Sequence, residues 1–258
     1  VSAAAALARK GKRVLVVDSD PHAAASFHLR MGLDAQPFVT LYDVLTGKCK
    51  LKDAIEETAY KGLHVVRGED RLKDLYKMQT ISPTLFEEIS GDYDYLFLDT
   101  PPAASPYRDL LMILVDEVLV PMFAEPDSIE GLVRQLTEWS AWSDAKARAG
   151  KGSISLLGVV VTHLNERYAT HRNVLKDIKK ELSDKGIPLL AVIPSSGAAS
   201  NAADTGVPIP WQSRLKANQI YKVFITLGNL IEKAAGKKPV KGPIVVETND
   251  SLSGEIEL

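Results

Sequence analysis

A single cysteine, Cys49, stands in a chain of 258 residues. No intramolecular disulfide can form, and such cysteine usage fits a reducing compartment, which points to the cytoplasm. The five histidines are scattered, with no HxxxH or CxxC pair, so a zinc site of ordinary ligand spacing is excluded. No apolar run approaches the ~18 residues of a membrane span. The alanine-rich start has no basic flank or small-residue cleavage pattern, so it does not read as a secretory signal. Neither sign of charge dominates: 31 basic residues against 33 acidic ones leave a net charge of −2, and nucleic-acid contact would need a local basic patch. Internal repeats and low-complexity blocks are also missing. What remains is ordinary: 45% hydrophobic and 25% charged residues suit a globular core, and this length suits one large α/β domain.

The organising stretch is residues 13–21, RVLVVDSDP. Val14, Leu15, Val16 and Val17 are β-favouring and too few for a capped helix, so they read as a strand buried on both faces. Asp18 ends the run, Asp20 follows, and Pro21 stops further pairing. Residues 95–102, YLFLDTPP, repeat the design with Asp99, Pro101 and Pro102. Ligands of an open parallel sheet sit beyond the carboxyl ends of its strands, so both acids belong at one rim, where a metal and phosphate can be held.

Along the chain, residues 1–10 read as an alanine-rich helix stopped by Gly11. A βαβ protein places a strand ahead of its first helix, and here none precedes it. Helices are expected at 22–31 (closed by Gly32), 41–45, 51–57, 71–78, 83–89 (capped by Ser82), 106–114, 172–185 and 218–235. A further helix starting at Asp127 or Ser128 carries Leu132, Leu136 and Trp139. Strands are expected at 63–66, 95–99, 117–122, 156–162 and 189–193, and a charged loop at 144–152. The stretch 237–258 reads as a loosely ordered acidic and polar tail after a single domain, 1–236. Strands alternating with helices give a doubly wound, mainly parallel α/β sheet.

With these residues in view, the chain resembles the ParA/MinD family of P-loop ATPases with a deviant Walker A motif. GKRVLVVDSDP at 11–21 is similar to that family's first switch, and DYDYLFLDTPPAAS at 92–105 to its Walker B strand and second switch. DEVLVPMFAEPDSIEGL at 116–132, LLGVVVTHLNERYATHRNVLKDI at 156–178 and AVIPSSGAASNAADTGVPI at 191–209 match the later segments in order. The DTPP form lies nearer the ParA partition branch than MinD. The family's glycine-rich lysine loop, which cradles phosphates and helps hold Mg²⁺, belongs just before the first helix and is absent from these residues. Either the sequence begins inside the domain or the chain is a natural relic. Loss of a central strand would leave buried N–H and C=O groups unpaired, which favours the first reading. The 258 residues as they stand are then expected to be inactive, the ATPase activity belonging to the full-length protein.

The resemblance implies ATP and Mg²⁺ as cofactors, a homodimer formed on ATP binding and a ParB-like stimulating protein. It implies that Asp20 orients or activates the attacking water and that Asp18 supports the Mg²⁺ shell. Asp99 is implied as the Walker B acid acting through water, with Thr100, Pro101 and Pro102 as the γ-phosphate sensor. Thr162 and Pro194 match positions near the adenine, with strand-end packing an equal alternative. DNA binding is the weaker half. Ser195 and Ser196 stand where the family often has an arginine, and Lys176, Lys179, Lys180, Arg214, Lys216 and Lys222 form either a basic patch or solvated helix faces. The expected function is a partition ATPase that moves DNA or other cargo, the alternative a nucleotide-switched positioning protein that binds protein partners and no DNA. The acidic tail carries no basic amphipathic pattern, so no membrane anchor of the MinD kind is expected.

Overall fold

The computed structural model describes residues 1–30, 39–216 and 218–235, together with the backbone of 243–247. Its elements are α1 (Ser2–Arg9), β1 (Val14–Asp18), α2 (Ala24–His28), α3 (Leu41–Leu45), β2 (Ile55–Glu57), β3 (Leu63–Val66), β4 (Tyr95–Thr100), α4 (Pro106–Met112) and β5 (Glu117–Phe123). They continue with α5 (Ser128–Arg148), β6 (Ser155–Leu164), α6 (Ala169–Asp184), β7 (Leu189–Pro194), α7 (Gly197–Thr205), α8 (Gln219–Ala234) and β8 (Pro243–Glu247). One eight-stranded sheet runs in the order β2-β3-β1-β4-β8-β5-β6-β7. Among the described residues, only the β2–β3 pairing is antiparallel.

Strand β1 is buried throughout, and the alternation of its side chains explains why. Leu15 and Val17 enter one core with α4, α5 and α6, while Val14 and Val16 enter a second with α1 and α8. A two-sided core is what an uninterrupted apolar strand requires. The alanines of α1 are needed for the same reason. Ala3 to Ala8 are all buried, wedged between the sheet and α8, where Gly228 faces Ala6 so closely that an added Cβ would sit 3.0 Å from the alanine methyl. Larger side chains would force the layers apart. Helix α1 then ends in a Schellman turn: Lys12 N–H donates to the Leu7 carbonyl and Gly11 N–H to that of Ala8, with Gly11 at φ +86°. A left-handed residue there suits glycine.

The fold class is the doubly wound, mainly parallel α/β sheet expected. Several local elements differ. Residues 51–57 are not helical throughout: Leu51–Ala54 makes a 3-10 turn and Ile55–Glu57 becomes the edge strand β2. Residues 71–78 and 83–89 yield only the 3-10 turns Asp70–Leu75 and Glu87–Ile89, the tighter helix that proteins use in short connecting pieces. The expected loop at 144–152 is largely the last turn of α5, held because Lys146 Nζ donates to the Val115 carbonyl and to Asp116. Helix α2 is shorter than 22–31, and residues 31 and 32 lie outside the described ones. Within the stretch expected as a tail, Pro243–Glu247 pairs in parallel with β4 and β5; residues 237–242 and 248–258 lie outside the described ones. The six cations grouped as one basic patch are carried on both sides of the sheet. Lys176, Lys179 and Lys180 lie on α6, while Lys222 lies on α8 and Arg214 and Lys216 on the turn leading into it. Among the described residues, no helix is long and apolar enough to cross a membrane.

Candidate functional site

The parallel register of β1 and β4 sets Asp18 directly beside Asp99 at the carboxyl ends of both strands. Asp18 is fully buried, and Asp20 and Asp99 are nearly so. Val1, at the start of α1, lies near both Asp99 and Asp18, so α1 brings its amino end to the same rim.

Each acid is held differently. Asp18 Oδ2 accepts from Ser26 N–H at 2.7 Å and from Ser26 Oγ at 2.6 Å, while Oδ1 accepts from Asp20 N–H at 3.2 Å. Ser26 Oγ in turn accepts from Gly68 N–H at 3.0 Å. Gly68 is required by close approach: a Cβ there would lie 2.8 Å from the Asp18 carbonyl oxygen and 2.9 Å from that of Asp20. Burial pushes the Asp18 carboxyl up to about 6, against the pull of the Ser26 and Asp20 hydrogen bonds, and the neighbouring Asp20 charge adds to the rise. A carboxylate kept ionised in such a place calls for a cation. Asp20 Oδ1 accepts from the backbone N–H of His22 at 2.8 Å and lies 3.0 Å from His22 Nδ1.

Two further contacts tie the strand ends together. Ser19 donates to the Asp99 carbonyl oxygen from N–H at 2.8 Å and from Oγ at 2.5 Å. Tyr107 of α4 donates its hydroxyl to the Ser19 carbonyl oxygen at 3.1 Å. Thr100 is fully buried, and its Oγ1 has no hydrogen-bond partner. Pro101 is buried behind it and Pro102 is exposed. The donor set suits Mg²⁺. Two carboxylates set in register on neighbouring strands are the small oxygen donor set that Mg²⁺ takes from a protein while keeping waters and phosphate oxygens as its other ligands. Among the described residues, no group of three or more His, Cys, Asp or Glu is arranged to hold a metal ion by itself.

The expected site residues fall into two groups. Asp18, Asp20, Asp99, Thr100 and Pro101 meet at the ends of β1 and β4. Thr162 and Pro194 lie at the ends of β6 and β7, with Thr162 Oγ1 donating to the Met122 carbonyl at 3.3 Å. From β4 to β6 is three strand spacings, roughly 14 Å at the usual inter-strand distance. Ser19, Ser26, Gly68 and Tyr107 were not legible as site residues. Ser26 sits past an unremarkable alanine run, and nothing local marks Gly68. A cavity of about 410 Å³ involving Arg13, Ile55, His64, Ile89 and Tyr93 opens at the amino ends of the strands and is separate from this rim.

Residues 1–146 match the sequence profile of an AAA domain family. The chain belongs to the ParA/MinD family of P-loop ATPases. It is 29% identical over 215 residues to the chromosome partitioning protein ParA of Caulobacter vibrioides, covering 79% of this chain and 77% of that one. It is 28% identical over 230 residues to the sporulation initiation inhibitor protein Soj of Bacillus subtilis, covering 86% and 88%. Among solved structures, the cell division ATPase MinD of Pyrococcus furiosus superposes with a TM-score of 0.67 at 26% identity, over 90% of each chain. Cobyrinic acid a,c-diamide synthase of Mycobacterium smegmatis, solved with an ATP analogue and magnesium, superposes with a TM-score of 0.64 at 25% identity, over 83% and 88%. ATP and Mg²⁺ are the cofactors of this ATPase family.

Proposed function

We propose that the chain is the body of an ATP-dependent, dimerising partition ATPase of the ParA type, which positions or segregates DNA or other cargo in the cytoplasm. Residues 1–235, with the strand Pro243–Glu247 in the same sheet, serve as one ATPase domain. The observation that carries this reading is the pairing of Asp18 with Asp99 across β1 and β4, with Asp20 two residues beyond. Bound Mg²⁺ supplies charge neutralisation on the phosphate oxygens. Asp18 and Asp99 would hold its water shell, and Thr100 with Pro101 would sense the γ-phosphate. Asp20 accepts a hydrogen bond from the attacking water and orients it. Thr162 and Pro194 flank the base, at a distance from the acids that an extended nucleoside triphosphate spans. Phosphoryl transfer needs little more from the protein than positioning and electrostatics. None of the 258 residues forms a glycine-rich lysine loop.

The test uses the protein expressed from its complete open reading frame. Asp20→Asn is expected to slow ATP hydrolysis by about 100-fold while ATP still binds; hydrolysis at the wild-type rate would remove the assignment. The names of the ParA relative and of the Soj relative from Treponema pallidum support chromosome partition, and on that reading the chain contacts DNA and a ParB-like stimulating partner. Ser195 and Ser196, in place of a family arginine, and the division of the basic residues between two layers favour the second reading, a positioning ATPase that acts on protein partners. Binding of random duplex DNA that weakens steeply with salt supports the first; no binding at low salt with ATP supports the second.

A further inference from the structure

We propose that His22 is the positioning residue for Asp20. The inference rests on the role of Asp20 given above and extends it. The two donors of His22, its backbone N–H at 2.8 Å and its ring Nδ1 at 3.0 Å, converge on the same oxygen, Asp20 Oδ1. A carboxylate only accepts, so the ring contact requires the hydrogen on Nδ1. Two donors on one oxygen fix the carboxylate's torsion and leave Oδ2 as the oxygen that meets a water. The Asp20 side chain is almost completely shielded, whereas the His22 ring is 79% exposed. Burial in the core therefore does not account for the ring's placement.

The backbone holds the ring there. Pro21 fixes its own φ, Ala23 N–H donates to the Asp20 carbonyl at 2.9 Å, and Ala23 takes φ +52°. A left-handed alanine is a strained conformation, of the kind that persists where surrounding structure over-determines it. The Ala23 N–H to Asp20 carbonyl bond closes a turn over Pro21 and His22 that folds His22 back on Asp20, and the left-handed Ala23 leads from it into α2. A donor from the side chain two residues on is thus built into the loop that carries the water-orienting acid. Its loss would leave the carboxylate free to rotate, and small misplacements of a catalytic group are expensive in rate.

Variants of the complete protein test this, read by single-turnover ATP hydrolysis, by affinity for a fluorescent ATP analogue, and by ¹⁵N NMR of the histidine ring. Asparagine places its amide N–H the same number of bonds from the backbone as Nδ1. His22→Leu is expected to hydrolyse ATP about tenfold more slowly with nucleotide affinity unchanged, and His22→Asn to recover most of the rate. The His22 ring is expected to carry its hydrogen on Nδ1, a preference lost in Asp20→Ala, which removes the acceptor. Wild-type hydrolysis by His22→Leu, or a ring with its hydrogen on Nε2 alone and none on Nδ1, would overturn the inference. Should His22→Leu fail to fold, the tautomer and the His22→Asn rate still decide. If Asp20→Asn hydrolyses ATP normally, the role of Asp20 itself falls. If Asp20→Asn is inactive and His22→Leu fully active, only the role of His22 falls.

Discussion

Ser26→Ala removes one hydroxyl that bridges two loops, and its effect should depend on pH. In the native protein Ser26 Oγ donates to the buried Asp18 carboxylate and accepts from Gly68 N–H. Losing a hydrogen bond to a charged group costs about 1.5–3 kcal/mol, and leaving the Gly68 N–H unpaired adds about 1 kcal/mol. Near pH 8 the expected destabilisation is therefore about 3 kcal/mol, or a melting temperature lower by about 6–12 °C for a domain of this size. Asp18 titrates at about 6 in the folded chain, above its ordinary 3.8, so the fold favours its protonated form. Protonation supports the fold at low pH, and that support is lost as pH rises from about 4 through about 6. Ser26→Ala removes a bond to the ionised form and pushes the folded value higher still. Its extra penalty therefore appears above pH 6. At pH 5 the lost bond is largely one between neutral groups, and the destabilisation should shrink to about 1–2 kcal/mol. Urea denaturation of both proteins at pH 5 and pH 8, without nucleotide or metal, measures the difference. Equal losses at the two pH values, or a loss below about 0.5 kcal/mol at pH 8, would refute the account of Asp18.

Two other substitutions separate stability from chemistry. Thr100→Val replaces a buried, unpartnered hydroxyl and should leave the nucleotide-free protein unchanged or up to about 1 kcal/mol more stable, while weakening Mg²⁺-dependent ATP binding; thermal melts with and without Mg-ATP read both effects. Gly68→Ala would press a methyl against the carbonyls of Asp18 and Asp20 and should cost about 1–3 kcal/mol while slowing hydrolysis, because the loop carrying Asp20 must shift. A Gly68→Ala protein as stable and as active as wild type would contradict that close approach.

The sheet was legible because a strand buried on two sides has to be apolar along its length, and β1, β4, β5, β6 and β7 all announce themselves that way. The acids were legible because Asp18, Asp20 and Asp99 interrupt those runs abruptly beside prolines. Short elements were legible only in part: 41–45 and 63–66 form the expected helix and strand, but others do not. Residues 51–57 and 71–89 carry helix-like spacing, yet they are too brief for spacing to decide between a helix, a 3-10 turn and an edge strand. The Asp144–Arg148 segment looked like a loop from its charges, and only the seat of Lys146 against Val115 and Asp116 keeps it helical.

By itself, the order of residues determined the α/β class, the two strand ends where acids collect and the family resemblance, since these depend on local apolar patterning and on neighbours in the chain. Tertiary structure alone decided that Asp18 and Asp99 share a register and that Ser26 and Gly68 close around Asp18. It also decided that α6 and α8 carry their lysines on different layers. Those facts join residues roughly 40 to 80 positions apart or set whole helices on one side of the sheet, and no local pattern encodes which distant backbone group will arrive. The physical reason is that burial selects partners by space and hydrogen-bond demand, whereas sequence spacing reports only what lies within a few turns of the same element.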